Sequence, residues 1–374
     1  HPSIKLGLDG FKSFAIEDEE TWRVQACISP VWDTCLAMTA MLESGMSPTE
    51  PSILNSTRWL LQKQILVSGD WQIRSPATKP GGWSFEFHNN QYPDIDDVSE
   101  VLIALNWSRL PGKEDVLRKT SINLGIHWLI GLQSKNGGWA AFDKDNDSTY
   151  LSKIPFSDFG ETLDPASADV TAHVVEAMGK LGYDMNFKPI NKAYRYIRNE
   201  QETDGPWFGR WGVNYIYGTG AVLPALEAIG EDMTQPYIRK AIDWIIAHQN
   251  TDGGWGESCG SYADISLRGV GPSTASQTAW ALLALLASGD GHSTSALRGF
   301  KYLERTQKDD GSWEEPYFTG TGFPGYGSGR RINNVSKRDG IRHNLDMGGS
   351  FMINYHLYRN YWPLTALGRF RRTF

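Results

Sequence analysis

The chain has 374 residues, 40% of them apolar and 21% charged, and a formal net charge of −7. Such a composition can fill a sizeable core in one large domain or two ordinary ones, while the acidic balance offers no basic footprint and excludes nucleic acid as a partner. Three widely spaced cysteines (Cys27, Cys35, Cys259) make no disulfide framework and suit a reducing compartment.

From the first residue onward, positions 1–25 read as a lead-in with no targeting pattern. A start at His1 and not Met suggests a piece of a longer polypeptide. An apolar helix rich in small residues follows at 30–44, opening with Ser-Pro-Val-Trp32-Asp33. Then comes the first copy of a phrase that recurs down the chain: an aromatic on a helix, Gln five residues later, then Gly and Trp. The copies are Trp59…Gln64…Trp71, Trp128…Gln133…Trp139, Tyr196…Gln201…Trp207, Trp244…Gln249…Trp255 and Tyr302…Gln307…Trp313. Each predicts an amphipathic helix stopped by Gly in a left-handed turn, with Gln bonding freed helix-end groups and Trp packing across the turn. Between the copies lie further apolar segments at 97–105, 169–181, 220–229, 273–287 and 351–370. The longest pure apolar run, 279–287, is too short to cross a bilayer. Buried helices alternating with half-buried ones imply stacked hairpins. Six inner helices can close into a ring, so the fold class expected is all-α, an α/α6 barrel occupying 1–374 as a single domain. Strand signals are weak throughout. The Gly-rich basic stretch 325–349 reads as an exposed loop.

Chemistry concentrates where Gly81-Gly-Trp-Ser-Phe85 leads to Tyr-Pro-Asp94-Ile-Asp96-Asp97 at the start of the second apolar helix. One or two acids there would merely cap a helix. Three acids exceed capping needs, and mutual repulsion in a dry site would leave one carboxyl protonated, a poised Brønsted acid. Asp33 opens the first inner helix; Asp169 and His173, four apart on one face, open the third. His173 next to the acid cluster suggests a His173–Asp96 pair, in which a cationic imidazole strengthens the acid. Rings crowd the inner-helix ends, at Trp207–Tyr217 (including Trp211) and around Phe323, Phe351, Tyr355 and Tyr358. For any single ring, core packing is the default reading. Collectively they could wall a cavity that stabilises a carbocation by cation–π attraction and excludes water.

Three competing motifs are weak. Asp96-Asp97-Val-Ser-Glu100 mimics a magnesium-binding carboxylate run but has no second motif to match. Asp143-Lys-Asp145-Asn-Asp147 begins like an EF-hand loop but lacks its Gly and closing Glu. Asp33-Thr-Cys35 could begin a zinc site of the protein prenyltransferase type, with His88 as the near candidate for a further ligand.

The chain resembles the squalene–hopene cyclases, the bacterial class II triterpene cyclases, from about residue 26 to 371. The motifs that carry this are Ser-Pro-Val-Trp32-Asp33-Thr, Tyr-Pro-Asp94-Ile-Asp96-Asp97, Asn136-Gly-Gly-Trp139, Ile154-Pro-Phe156, Asp169-Val-Thr-Ala-His173, Gly209-Arg-Trp211 through Tyr217-Gly-Thr-Gly, Thr274–Trp280, Gly320-Thr-Gly-Phe323 and the five Gln/Trp repeats. The resemblance implies that Asp96 protonates the terminal alkene of squalene, paired with His173 and supported by Asp94 and Asp97. It places Asp33 and Asp169 in the same polar network and Tyr217 by the water path that returns the proton. Trp32, Phe85, Trp211, Phe323, Phe351 and Tyr355 match cavity-lining positions, with Tyr358 nearby. Phe156 and Ser157 match a narrow entrance channel, and Phe142 stands where some members carry Tyr. No cofactor and no metal are implied. The implied partners are squalene or a similar linear polyprene, an N-terminal second α/α domain absent from this chain, and a membrane surface. That reading places the parent as a monotopic protein on the cytoplasmic side of the bacterial membrane. It also leaves the chain folded yet inactive alone. A zinc prenyltransferase-like barrel and a non-catalytic helical scaffold binding lipid or protein stand as alternatives.

Overall fold

The computed structural model describes residues 1–25, 27–87, 89–148, 163–262, 264–322 and 351–373, with backbone alone at Arg23 and Phe351. Phe156, Phe323, His88 and the 325–349 stretch therefore lie outside the described residues. After a lead-in helix α1 (Pro2–Ser13), inner and outer helices alternate among the described residues. The inner set is α2 (Pro30–Glu43), α4 (Ile95–Trp107), α6 (Ala168–Lys180), α8 (Tyr215–Ala228), α10 (Ala275–Ala287) and α12 (Tyr358–Arg371). The outer set is α3 (Pro51–Lys63), α5 (Lys113–Gly131), α7 (Lys188–Glu200), α9 (Pro236–Ala247) and α11 (Thr294–Thr306). Each inner helix packs on the next, and α12 closes the ring against α2. This is the α/α barrel expected from the repeat.

Sequence explains the two layers. In α10 the first eleven residues from Ala275 to Leu285 are all buried, and the helix carries no charge. In α7 only Ile190, Ala193, Tyr196 and Ile197 are buried, a single stripe at helical spacing, while its Lys and Arg residues stay off that stripe. The inner helices approach closely because small residues let them. A Cβ added at Gly220 would sit 2.8 Å from the Trp280 carbonyl, and one at Gly218 2.5 Å from that of Trp207. Helix α8 begins at Tyr215 and runs straight through Gly218 and Gly220, five residues before the start expected from sequence. Conversely, α12 starts at Tyr358 and not 351. Its expected first turns form strand β4 (Phe351–Ile353), antiparallel to β3 (Gly320–Gly322). A second small hairpin pairs β1 (Ala15–Glu17) with β2 (Trp22–Val24) in the lead-in.

The repeat works differently from its sequence reading. The repeat glycines Gly137, Gly205, Gly253 and Gly311 are left-handed as expected, and left-handed glycines also follow inner helices α2, α6, α8 and α10: beyond α6, Gly182 takes φ 93° and the Tyr183 N–H returns to the Met178 carbonyl. Outer helices α3, α7 and α11 instead stop at the Gln itself in extended backbone. Gln133, Gln201 and Gln249 each donate through Nε2 to the carbonyl of the Gly four residues on and to a carbonyl in the first turn of the next outer helix. The Trp indoles complete the loop: Nε1 of Trp139, Trp207, Trp255 and Trp313 donates to Leu129, Ile197, Ile245 and Leu303. In the first copy that place belongs to Trp83, which donates to the Leu60 carbonyl at 2.7 Å, while Gln64 donates to Gly81. Trp71, the residue singled out from spacing, has an indole N–H with no partner among the described residues. The first repeat thus carries an extra loop between its Gln and its Trp, which a fixed interval cannot see.

Candidate active site

The N-terminus of α4 is pinned before any chemistry is considered. The Asp94 N–H donates to the Trp83 carbonyl and the Ile95 N–H to that of Ala141, tying the helix start to two repeat loops. Asp94 is the N-cap, its Oδ1 accepting from the N–H groups of Asp96 (2.8 Å) and Asp97 (3.4 Å). Capping therefore accounts for one acid of three. Asp96 takes a different partner: its Oδ1 lies 3.0 Å from His173 Nδ1 on α6. Asp97 is 1% exposed, and neither oxygen has a partner among the described residues. Burial, reinforced by the neighbouring carboxylates, pushes Asp94 and Asp97 well above the ordinary carboxylate range. His173 is raised to about 10. Burial alone would lower it, but the charge and hydrogen bond of Asp96, then Glu100 and Asp169, outweigh that. The imidazole is thus a cation throughout the neutral range.

These acids face a cavity of about 410 Å3. Of the ring residues expected to line it, Trp32, Phe85, Phe142, Trp211, Tyr355 and Tyr358 do so, as do Asp94, Asp96, Asp97 and Tyr217. The rings brace one another: Tyr355 and Tyr358 stack at 4.6 Å, Phe85 meets Tyr355 edge-on, and Phe142 meets Trp211 edge-on. Trp32 Nε1 donates to the Tyr358 hydroxyl at 3.0 Å. Phe351 contributes backbone to β4 beside this wall. Phe142 supplies no hydroxyl; its N–H donates to Asp164.

Asp33 and Asp169 stand outside the cavity lining. Asp33 accepts from the Ser29 and Tyr361 hydroxyls, and burial raises it. Asp169 is fully buried and accepts the N–H groups of Arg210 and Trp211, so it holds the loop that carries Trp211. Tyr217 packs edge-on against His173 at 6.0 Å. The Cys35 thiol donates to the Trp32 carbonyl and burial drives it far from ionisation; among the described residues, which do not include His88, no group of three or more metal-ligating side chains occurs. Cavity residues that sequence reasoning missed are Asp164 and Arg210, both buried and both in the wall. Asp164 accepts the N–H groups of Phe142 and Asp143. Nothing in its spacing marks it, since it meets the 141–143 loop only through the fold.

A family profile described as the squalene-hopene cyclase C-terminal domain matches residues 28–328. The squalene–hopene cyclase of Alicyclobacillus acidocaldarius is 49% identical over 373 residues, covering 100% of this chain and 55% of that protein. That of Zymomonas mobilis is 42% identical over 358 residues, 95% of this chain and 50% of that one. The chain thus spans about half the length of these curated relatives. Among solved structures, an apo type II terpene cyclase from Scytonema superposes with a TM-score of 0.61 at 17% identity, covering 100% of both chains, which speaks to fold.

Proposed function

Since the chain belongs to the squalene–hopene cyclase family, we propose that it is the acid-bearing barrel of a class II triterpene cyclase acting on squalene or a similar linear polyprene. The observation that carries the reading is a buried carboxyl trio under a ring-walled cavity, with Asp96 alone bonded to an imidazolium. Asp96 gives its proton to a terminal alkene: the O–H bond breaks, a C–H bond forms from the π electrons, and a tertiary carbocation remains. His173 holds the resulting carboxylate through Nδ1. Asp94 and Asp97, kept neutral by burial, add no opposing charge. Trp32, Phe85, Trp211 and Tyr355 face the migrating cation with their π electrons and keep water away until the last ring closes. Rate comes from holding a folded chain in place and from fixed electrostatics. Tyr217, in contact with His173, borders the path by which the proton returns.

The remaining half of the full-length enzyme supplies, on this reading, a second α/α domain and the rest of the cavity wall. The enzyme works as a monotopic protein at the cytoplasmic face of a bacterial membrane, where its substrate dissolves. No described helix is long and apolar enough to cross that membrane. The test is Asp96→Asn in the full-length enzyme, incubated with squalene and read by mass spectrometry of the hydrocarbons. Loss of cyclised product with an unchanged melting curve is expected; normal product overturns the assignment of the acid.

A further inference from the structure

Three chambers follow one another along the barrel axis. The ring-lined cavity lies at the N-terminal ends of the inner helices. Beneath it a waist chamber of about 30 Å3 is walled by all six inner helices, with Glu100, His173, Tyr217 and Arg369 among its polar lining. An open pocket at the C-terminal ends shares Leu283 and Arg369 with the waist, and Tyr217 belongs to both waist and cavity. A chamber of that volume with several polar groups facing it holds a water molecule.

Glu100 has no place in the mechanism so far. It lies one turn beyond Asp96 on the same face of α4 and is 4% exposed. Among the described residues no protein group bonds its carboxyl, which faces the waist alongside His173. Burial raises it to about 7, so it ionises within the working range. The other carboxylates near the imidazole have protein partners, Asp169 through Oδ2 alone. Asp96 takes Nδ1, and Asp169 takes two backbone N–H groups. Glu176 is bound at 2.8 Å by both Lys180 and Arg369, and Glu43 is paired with Arg369 and Arg372. The remaining titratable neighbours are Asp97 on α4, Cys35 and Asp33 on α2, Tyr217 on α8, and Tyr358 and Tyr361 on α12.

We propose that Glu100 is the second carboxylate of the His173 imidazolium, a positioning residue that acts from the waist chamber through a lodged water to keep the ring charged while Nδ1 holds Asp96. The waist also borders the C-terminal pocket at Leu283 and Arg369, on the side away from the ring-lined cavity.

The test is a nitrogen-detected NMR titration of His173 in the full-length enzyme, comparing the wild type with Glu100→Gln and Glu100→Asp. The midpoint should fall by about one pH unit or more in Glu100→Gln and recover in Glu100→Asp. The alkaline limb of cyclisation should move down with it at unchanged KM. An unmoved midpoint in folded Glu100→Gln, or an equal fall in Glu100→Asp, overturns the proposal. Should Glu100→Gln not fold, a cross-peak between the imidazole Nε2 proton and a bound water is expected in the wild type, and its absence overturns the proposal. The alkaline limb rests on Asp96 being the acid, but the titration needs no turnover, so failure of either reading is seen separately.

Discussion

At the residue scale, the three acids of one turn have three different fates. Asp94 caps, Asp96 pairs with His173, and Asp97 is left without a partner among the described residues. The spacing showed that capping could not use all three, and the His173–Asp96 pair was legible because both residues open neighbouring inner helices. Which acid would cap was not legible, since that depends on helix entry angles. Two outcomes follow from the shifts. His173 is raised from an ordinary 6.5 to about 10, so its contribution to stability is fully present below 6.5 and is lost as pH rises towards 10. In urea unfolding, the gap between wild type and His173→Gln should therefore shrink across that window. Asp97 has the opposite character: a carboxyl held above its ordinary value costs stability once the unfolded chain ionises, above about pH 4. Asp97→Asn should thus gain about 1–3 kcal/mol at pH 7, with no gain near pH 3. Activity should fall, because the strain sits at the reacting centre.

At the element scale, the repeat was readable as a rhythm but not as a mechanism. The Gln-to-Trp interval, six residues in four copies and seven in the first (71 − 64), identified four loops correctly and misassigned the first, because the chain makes an excursion before returning with Gly81-Gly82-Trp83. Chemistry now separates the two tryptophans. Trp83→Phe removes a buried indole bond to the Leu60 carbonyl and leaves that acceptor unpaired. It should cost about 1–3 kcal/mol in denaturant unfolding. Trp71→Phe removes an N–H that has no partner among the described residues and should be neutral or mildly stabilising. Equal losses for the two would reinstate the sequence reading. The same limit applied at α8 and α12. Gly218 reads as a loop residue until it is seen packed against the Trp207 carbonyl inside α8, and Phe351 reads as helix until Gly322 pairs with it.

For the whole molecule, the closing of the ring is the step that local pattern could not reveal. The inner helices were identifiable one by one, but the charges that lock the first to the last are more than 300 residues apart in sequence. Arg369 on α12 reaches Glu43 on α2 at 3.2 Å and Glu176 on α6 at 2.8 Å, with Lys180 alongside and Arg372 also on Glu43. Glu43 and Glu176 are both buried, so each depends on these cations for compensation. Burial on its own would raise Glu176, yet Lys180 and Arg369 bring it down to about 2. A carboxylate below its ordinary 4.5 contributes stability that is present above 4.5 and disappears as pH falls towards 2. Arg369→Ala should cost about 1.5–3 kcal/mol at pH 7, because Glu43 and Glu176 each lose one cation and keep only Arg372 and Lys180. It should also make the loss of stability between pH 4.5 and 2 shallower, since Glu176 then depends on Lys180 alone. Replacing Arg369, Glu43 and Glu176 together with apolar residues of similar volume should recover most of that cost. If the single variant unfolds no more easily than the wild type at pH 7, the ring is held by apolar packing alone and the ion cluster is incidental to its closure.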